Sequence, residues 1–423
     1  MKDYYALNKQ ALMNYFEEGS KGCICESLGV EIEHFVVYGE EAAKQAGVPV
    51  HTAVSYYGEG GIEEILYKLC ERYPKHEKIM VDDHCLGFKV SGFIVTLEPA
   101  AQLEISIAPF SSIDKIKSVY EEFRASVEGV ISAYGYELIN EGYQPASKVL
   151  DLKIIPKERY ELMNRWFGIS GTRGRNMMRG TASVQVSIDY RDSEDFGRRF
   201  RAAYIIMPLI KLWMDNCKTF EGEPNTMRLR RTEIWDNVDL ARSGIAPHLF
   251  DKPEGSSEYP SYGFAEYADY IMNMPPIFIP EDGKDVYTAG STTAEIFAEK
   301  EIDRPMVEHL ISMVFPDVRL KTYVEIRGAD CTEPARAFAY AALVKGTLYN
   351  EEYIDYAMEF MTKRQLSAKD IKDSEASLMA NGWDGEIYGI PVRKAAVTLL
   401  EYAKEHLPEE ESHYLDPFYE MIK

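Results

Sequence analysis

The sequence predicts an α+β fold, in which an antiparallel sheet with one polar face is combined with helices and the C-terminal region forms a helical layer. Two observations predict it. Four segments alternate strictly between apolar and polar residues, which is typical of strands that bury one face. The residues after Cys331 carry their apolar side chains at helical spacing instead. Hydrophobic residues make up 46% of the 423-residue chain, so a sizeable core can form.

The alternating segments are the predicted strands of the sheet. They are Leu28–Phe35, Gln102–Ala108, Ser183–Asp189 and Val318–Arg327. Successive side chains of a strand point to opposite faces, so each segment has one apolar face and one polar face. Strands of this kind are typical of antiparallel sheets, and we therefore expect the four to share one.

Seven segments with apolar residues at helical spacing are the predicted helices. They are Tyr4–Glu18, Ile62–Arg72, Ser112–Tyr134, Ser193–Asn216, Ala335–Leu348, Tyr353–Lys363 and Val392–His406. The third has the clearest ends, with a start signal at Ser111 and Asp114 and a stop at Gly135. The fourth is expected to be interrupted at Pro208. Two stretches rich in Gly, Pro and Ser, Asp251–Tyr262 and Pro275–Gly290, are predicted loops, neither long enough to tether separate domains.

The charge balance and the apolar runs exclude several classes of protein. Lys and Arg number 47 against 69 Asp and Glu, a net charge of −22, which argues against a nucleic-acid partner. The longest uninterrupted apolar run, Ala202–Ile210, is far shorter than the roughly 20 residues of a membrane-spanning helix, so no membrane partner is expected. The six cysteines are scattered and the first residues do not form a signal peptide, which predicts reduced thiols and a cytoplasmic location. The oligomeric state stays open.

The polar faces of the predicted strands carry an unusual number of carboxylates. Glu31 and Glu33 lie two residues apart on one strand, where like charges repel unless a cation or a proton lies between them. Glu98, Glu104 and Glu325 add three more acids in or beside strands. A face that simply meets solvent is the plain alternative, but such faces favour Thr, Lys and mixed charges. The pattern indicates a site for Mg²⁺ and phosphate groups, since Mg²⁺ prefers oxygen ligands and keeps nucleotide phosphates in its shell.

The usual nucleotide-binding motifs are missing, since neither GxxxxGK[ST] nor a GxGxxG after a strand occurs. ATP would therefore be bound through carboxylates and metal ions. The arginines near predicted turns are candidate anion ligands, although a solvated surface role is the alternative for each. They include Arg173, Arg175, Arg179, Arg228, Arg230, Arg231 and Arg242.

Two groups that could suggest nucleophilic catalysis have simpler interpretations. By strand parity His34 points to the apolar face, which predicts a core histidine, and Cys331 is predicted to be a buried thiol. The eight histidines show no HExxH or HxxxH spacing, so a zinc site is not expected.

A series of motifs between residues 20 and 350 resembles glutamate–cysteine ligase of the plant and proteobacterial type. The motifs, in the order of that family, are Gly29–Phe35 (GVEIEHF), Thr96–Ser106 (TLEPAAQLEIS), Gly142–Pro145 (GYQP), Ser183–Asp189 (SVQVSID), Glu221–Asn225 (EGEPN), and Phe315–Lys321 (FPDVRLK) through Glu325–Asp330 (EIRGAD). The whole series is highly specific, whereas any one motif alone would be weak.

The resemblance implies a glutamine-synthetase-like fold, with a curved antiparallel sheet whose concave polar face holds the site. It also implies ATP-dependent joining of the γ-carboxylate of L-glutamate to the amino group of L-cysteine through a γ-glutamyl phosphate, the first step of glutathione synthesis. Two or more Mg²⁺ ions would assist. Residues 1–423 would form a single catalytic unit, with the active-site sheet and its helices in residues 20–330 and a mainly helical region in 331–423.

The resemblance also assigns roles to individual residues. The metal-binding acids of the family match Glu31, Glu33, Glu98, Glu104 and Glu325. Arg327 and Glu325 match the family's Glu-x-Arg strand, whose Arg is expected to contact the transferred phosphate. The residues that would bind substrate are Gln185, Arg242 and an arginine that is either Arg230 or Arg231.

Two features leave alternatives open. Plant relatives have two glycines where this chain has Ala100 and Ala101, and the cysteines here do not imply the disulfide regulation of those relatives. Other relatives couple glutamate to different amines. The alternatives are thus a γ-glutamyl ligase with another acceptor and a nucleotide-binding relative without catalytic activity, although retention of the acids and Arg327 argues against the latter.

Overall fold

A computed structural model describes residues 2–288 and 290–423. Its main feature is a nine-stranded sheet in the order β8-β9-β7-β1-β5-β4-β3-β2, with β6 paired to the C-terminal half of β1. All neighbouring strands in this sheet are antiparallel. The strands are β1 Leu28–Tyr38, β2 Glu77–Val81, β3 His84–Val90, β4 Phe93–Leu97, β5 Leu103–Phe110, β6 Tyr136–Ile139, β7 Ser183–Ile188, β8 Val318–Leu320 and β9 Val324–Asp330.

Helices make up most of the remainder of the described chain. They are α1 Tyr4–Glu17, α2 Glu40–Ala46, α3 Ile62–Cys70, α4 Ile113–Ile131, α5 Glu158–Phe167, α6 Gly174–Gly180, α7 Ser193–Trp213, α8 Arg230–Asp236, α9 Phe264–Asn273, α10 Thr293–Ile296, α11 Arg304–Ile311, α12 Pro334–Leu348, α13 Glu351–Arg364, α14 Ala368–Asn381, α15 Val392–His406 and α16 Asp416–Met421, with short 3-10 helices at Ser132–Tyr134, Gly382–Asp384 and Glu409–Leu415.

Four small strand pairs lie outside the main sheet. They are Thr219–Phe220 with Glu223–Pro224, Ser243–Gly244 with Phe315–Pro316, Phe278–Glu281 with Lys284–Tyr287, and Glu386–Ile387 with Ile390–Pro391. No helix of the described residues is both long and apolar enough to cross a membrane.

The apolar face of the sheet forms one side of the core. Side chains such as Val30, Ile105, Val186 and Ile326 are buried there, beneath α3, α4, α7 and α12. Helix α7 is buried almost all round, because α13 and α14 pack on it from outside. The buried hydrophobic side chains form one cluster that runs from Leu12 to Ile422. Burial of this apolar surface is the main force that holds sheet and helices together.

Three sequence predictions need correction. The predicted strand Val318–Arg327 is a hairpin of β8 and β9, although Arg319 pairs with Glu325 and the two faces stay as predicted. The predicted loop Pro275–Gly290 contains the hairpin Phe278–Tyr287, and its residue Ala289 lies outside the described residues. Helix α7 continues through Pro208 to Trp213, because packing on both sides outweighs the lost backbone hydrogen bond.

Candidate active site

The carboxylates of the polar face meet through the pairing of the central strands. In the β1–β5 register Glu33 lies directly opposite Glu104, and Glu31 lies opposite Ser106. On the other side of β1, Glu31 faces Gln185 of β7. Side chains directly opposite in an antiparallel pair have Cβ atoms roughly 5 Å apart. The alternation predicted from sequence therefore brings acids from distant segments onto one patch.

Burial and mutual repulsion raise the pKa values of these acids. Burial, followed by the charges of Glu104 and Glu325, raises the pKa of Glu31 to about 8. The pKa of Glu104 is raised by burial and by Glu33, and that of Glu98 is raised well above its usual value by burial, Glu104 and Glu33. Burial also raises the pKa of Glu33, against hydrogen bonds from Ser183. A cation placed among these carboxylates would relieve the repulsion.

A hydrogen-bonded row crosses from β1 to β9 through β7. Gln185 donates from Nε2 to Glu33 Oε1 at 3.1 Å, and its Oε1 accepts from Arg327 Nη1 at 2.5 Å. Ser183 donates two hydrogen bonds to the carboxylate of Glu33, one from its backbone N–H and one from its hydroxyl, each at 2.8 Å. The guanidinium of Arg327 is thus held in a defined position over the polar face.

Glu325 is the most strongly paired acid of the patch. It is 0% exposed and accepts from Arg319, Lys321 and Arg327 at 2.7–2.9 Å. Burial alone would raise its pKa, but these three cations hold the pKa well below the usual value. This differs from the expectation of Glu325 as a free metal ligand, because its oxygens are already occupied by cations.

Two cavities open on the polar face. One of about 90 Å³ is lined by Glu33, Glu98, Arg231 and Arg327, and helices α5, α6 and α8 cover it. The other, of about 160 Å³, contains Glu31 and lies beside Ser187, Asp189 and Tyr323. Glu31, Glu33, Glu98 and Arg327 therefore line partly open cavities on the polar face.

The three candidate substrate-binding arginines have different surroundings. Arg231 is only 7% exposed, lines the smaller cavity, and its Nε has no hydrogen-bond partner among the described residues. The side chain of Arg230 instead donates to Asn225 and Glu233. The structure therefore brings Arg231, and not Arg230, to the carboxylates.

Arg242 does not join the cluster. Its Nε donates to Asp239 at 2.7 Å, while Nη1 and Nη2 each donate at 3.0 Å to the carbonyls of Met313 and Pro275. With each nitrogen bonded to neighbouring loops, this side chain holds those loops together. The expectation that Arg242 binds substrate receives no support from this geometry.

Three cations near the acids were not proposed from the sequence. Arg319 and Lys321 pair with Glu325, and the shared strand parity of these three residues was a signal that could have found them. Lys157 directly precedes α5. Burial and the charge of Arg159 lower its pKa, and the opposing effect of Glu98 and Glu104 is smaller. This lysine lies in a loop, so no periodicity pointed to it.

The donor set fits Mg²⁺ in chemistry but not as a ready-made cage. Within residues 2–288 and 290–423, no group of three or more His, Cys, Asp or Glu is arranged to hold a metal ion. Mg²⁺ is often held by one or two carboxylates, with waters and substrate phosphates completing its shell. The Glu33–Glu104 pair and the neighbouring Glu31 and Glu98 supply oxygen ligands of that kind.

His34 and Cys331 are both buried, as the sequence predicted. His34 is fully buried on the apolar face, with Nδ1 against the Leu103 carbonyl at 3.1 Å and Nε2 against the Tyr120 hydroxyl at 2.9 Å. Cys331 is 0% exposed, and burial raises the pKa of its thiol. Neither is placed to act as a nucleophile.

The family model for glutamate–cysteine ligase family 2 matches residues 27–423. The chain belongs to this family. Three relatives, all named chloroplastic glutamate–cysteine ligases, come from Medicago truncatula (27% identical, 99% of this chain, 80% of the relative), Oryza sativa subsp. japonica (ligase B; 31%, 93%, 73%) and Brassica juncea (30%, 84%, 66%). The chain therefore spans just under two thirds of the length of the Brassica protein.

A solved structure shares the fold of this glutamate–cysteine ligase family member. It is the glutamate–cysteine ligase of Francisella tularensis in complex with AMP, with a TM-score of 0.57, 12% identity, and coverage of 94% of this chain and 81% of that one. The family resemblance drawn from the motifs, and with it the interpretation as a ligase of this type, is confirmed. The predicted mixed architecture, with a mostly antiparallel sheet and many helices, is also confirmed.

The predicted cytoplasmic location is contradicted. Each of the relatives named above is a chloroplastic protein, and this finding overturns the prediction. The reason for the error is that reduced thiols and the absence of a long apolar run do not distinguish one compartment from another.

Proposed function

We propose that this chain catalyses the ATP-dependent joining of the γ-carboxylate of L-glutamate to the amino group of L-cysteine, the first step of glutathione synthesis. The observation that carries the proposal is the row from Glu33 through Gln185 to Arg327, which lies beside Glu31, Glu98 and Glu104 and under Arg231. Such a site offers oxygen ligands for cations and fixed positive charge for phosphate and carboxylate groups. Membership of the family supports the choice of reaction.

The reaction proceeds in two steps. An oxygen of the glutamate γ-carboxylate attacks the γ-phosphorus of ATP, which gives γ-glutamyl phosphate and releases ADP. The cysteine amine then attacks the acyl carbon, the C–O bond to phosphate breaks, and the amine loses a proton. In both steps negative charge gathers on phosphate oxygens, so preorganised cations are the main resource of the enzyme.

Arg327 is the proposed phosphate ligand. Its Nη1 is fixed by Gln185 and by Glu325 at 2.8 Å, so it needs little reorganisation when charge develops nearby. We propose that Glu325 acts mainly by holding Arg327, together with Arg319 and Lys321.

Arg231 is the proposed ligand for a carboxylate of glutamate. Its guanidinium lines the small cavity. Its pKa is lowered, because the effect of burial exceeds the opposing effect of Asp330 and Glu33. Its Nε, which has no hydrogen-bond partner in the described part of the chain, supplies a donor for a substrate oxygen. Of the alternatives Arg230 and Arg231, this favours Arg231.

Mg²⁺ is the proposed cofactor, and Glu31, Glu33, Glu98 and Glu104 are the residues that would hold it. When bound, it would neutralise the repulsion between ATP phosphates and the attacking carboxylate. Because a carboxylate must lose its proton before it binds a metal ion, the raised pKa values of these acids predict that cation binding releases protons and strengthens as the pH rises. We further propose that the polar face is the concave side of a curved sheet, and that residues 1–423 act as a single catalytic unit.

The test is an ATP-consumption assay of the purified chain with Mg²⁺, L-glutamate and each amino acid in turn. We expect ADP, phosphate and γ-glutamylcysteine only when glutamate and cysteine are both present. A clear preference for another amine would establish the γ-glutamyl ligase alternative, and nucleotide binding without turnover of any pair would establish the non-catalytic one.

The variant Glu31→Gln should abolish turnover while leaving the protein folded. The matched control Glu122→Gln, an exposed acid on α4, should behave as the wild type. Full activity of Glu31→Gln would contradict the metal assignment.

A further inference from the structure

A third cavity lies on the far side of α7 from the sheet. It encloses about 360 Å³ between α7, α13, α15 and the hairpin Glu386–Pro391. Ile206 and Leu209 of α7 line it, whereas Met207 of the same helix lies against Gly328 of β9. This cavity is therefore separate from the carboxylates and shares none of their residues.

The inner surface of this cavity is apolar and aromatic. Leu209, Leu399, Tyr353, Tyr356 and Phe360 are among the side chains that form it. Ligand sites for small molecules are typically clefts of roughly 300–1,000 Å³ with mostly hydrophobic and aromatic walls and a few polar groups. The volume and composition thus match a small organic molecule with a flat or aliphatic body.

The charged residues that line this cavity all have one sign. Lys363, Arg364 and Lys394 line it, and no Asp or Glu does, in a chain that has 69 acids against 47 bases. Lys363 is paired with Glu359 at 2.5 Å, but neither Arg364 nor Lys394 forms an ion pair within the part of the chain that the structure describes. Arg364 lies over the ring of Phe360 at 5.8 Å. An anionic group is therefore the complement of this rim.

The hairpin that borders the cavity is tied to α7. Tyr388 and Gly389, with φ +53° and +71°, form its two-residue turn, in which both central residues adopt positive φ. The Tyr388 hydroxyl donates to the Ile205 carbonyl at 2.8 Å, which ties the hairpin to α7 one turn before Pro208.

We infer that this cavity binds an amphipathic small-molecule carboxylate, whose aromatic or aliphatic body packs on Tyr356, Phe360 and Leu209 and whose carboxylate pairs with Arg364 and Lys394. The apolar walls provide burial and the two cations provide the preference for a negative head group. The site is independent of the proposed ligase reaction, because no residue of the polar face lines it.

The probe is 4-phenylbutyrate, compared by titration calorimetry on the full chain with 4-phenylbutanol and 4-phenylbutylamine, which have the same body and a neutral or positive head. We expect 4-phenylbutyrate to bind at least about tenfold more tightly than either analogue. The charge reversals Lys394→Glu and Arg364→Glu should each weaken it by about tenfold, whereas Lys404→Glu, an exposed lysine on the same helix that does not line the cavity, should not.

Two further measurements keep the inference falsifiable. Ala395→Trp, which fills the cavity from α15, should abolish binding while the circular dichroism spectrum stays native. Saturating glutamate should leave binding unchanged, since its proposed site is elsewhere. Equal binding of the alcohol, insensitivity to both charge reversals, competition by glutamate, or no binding of 4-phenylbutyrate at millimolar concentration would each overturn the inference.

Discussion

Glu33 of β1 lies directly opposite Glu104 of β5, and each residue is only 8% exposed. When both are ionised, like charges on directly opposite residues destabilise the folded state, and burial raises the pKa of each carboxyl group. Their retention is understandable if the site binds a cation, since strained or repulsive arrangements concentrate at functional sites.

Removing one charge of this pair should stabilise the protein and inactivate it. In Glu104→Gln the side-chain oxygen can still accept from Thr96 and Ser106, while the new amide can donate towards Glu33. We expect the free energy of unfolding to rise by about 1 kcal/mol in metal-free buffer. Urea denaturation and the ATP-consumption assay measure the two effects. A destabilised variant, or one with full activity, would contradict the assignment of this pair.

Shortening the phosphate ligand should slow the reaction without unfolding the chain. Arg327→Lys cannot bridge Gln185 and Glu325 and still offer donors to a phosphate, because an ammonium is a point charge and lacks the planar fork of a guanidinium. We expect kcat to fall by roughly 10²–10³-fold with a nearly unchanged melting temperature. An unchanged kcat in Arg327→Lys would exclude a role in the phosphoryl transfer. Arg242→Lys, which alters a buried arginine outside the site, is the comparison for nonspecific effects.

The two neighbouring arginines of α8 should differ in their effect on glutamate binding. Arg231→Lys removes a buried donor that lines the cavity, and we expect KM for glutamate to rise by roughly 10–100-fold. Arg230→Lys should change it by less than about threefold, because that side chain contacts Asn225 and Glu233. Steady-state kinetics at saturating ATP measures both. The reverse order of effects would assign glutamate to Arg230.

Asp330 should make the protein less stable as the pH rises. Burial and the neighbouring Asp215 raise the pKa of Asp330 to about 7, so the folded state keeps a proton that the unfolded state loses from about pH 4 upward. The stability supplied by this proton is complete below pH 4 and lost as the pH rises through 7. Asn cannot ionise, so Asp330→Asn should gain on the order of 2 kcal/mol relative to the wild type between pH 5 and pH 8.

Urea denaturation at the two pH values measures the Asp330 effect. The exposed-site control Asp384→Asn should track the wild type at both. If Asp330→Asn shows the same pH dependence as the wild type, Asp330 is ionised in the folded protein and its position beside Arg231 needs another explanation.

Much of the fold followed from local patterns. The alternation in Leu28–Phe35, Gln102–Ala108 and Ser183–Asp189 predicted β1, β5 and β7 to within a few residues, because one buried face demands a period of two. The turn between β8 and β9 was missed because both strands keep the same alternation across it. The short hairpin Phe278–Tyr287 was missed because Gly and Pro indicate a turn but not whether strands flank it.

The amino-acid sequence by itself determined which side chains share a face of each strand, and its motifs determined the family. Both are readable because strand periodicity is a local property and a series of motifs is preserved along the chain. Tertiary structure alone decided that Arg231 reaches the carboxylates while Arg230 and Arg242 do not, and that Glu325 is already paired with three cations. The physical reason is that charges pair through space, and the distance between residues far apart in sequence depends on how the sheet and its covering helices pack.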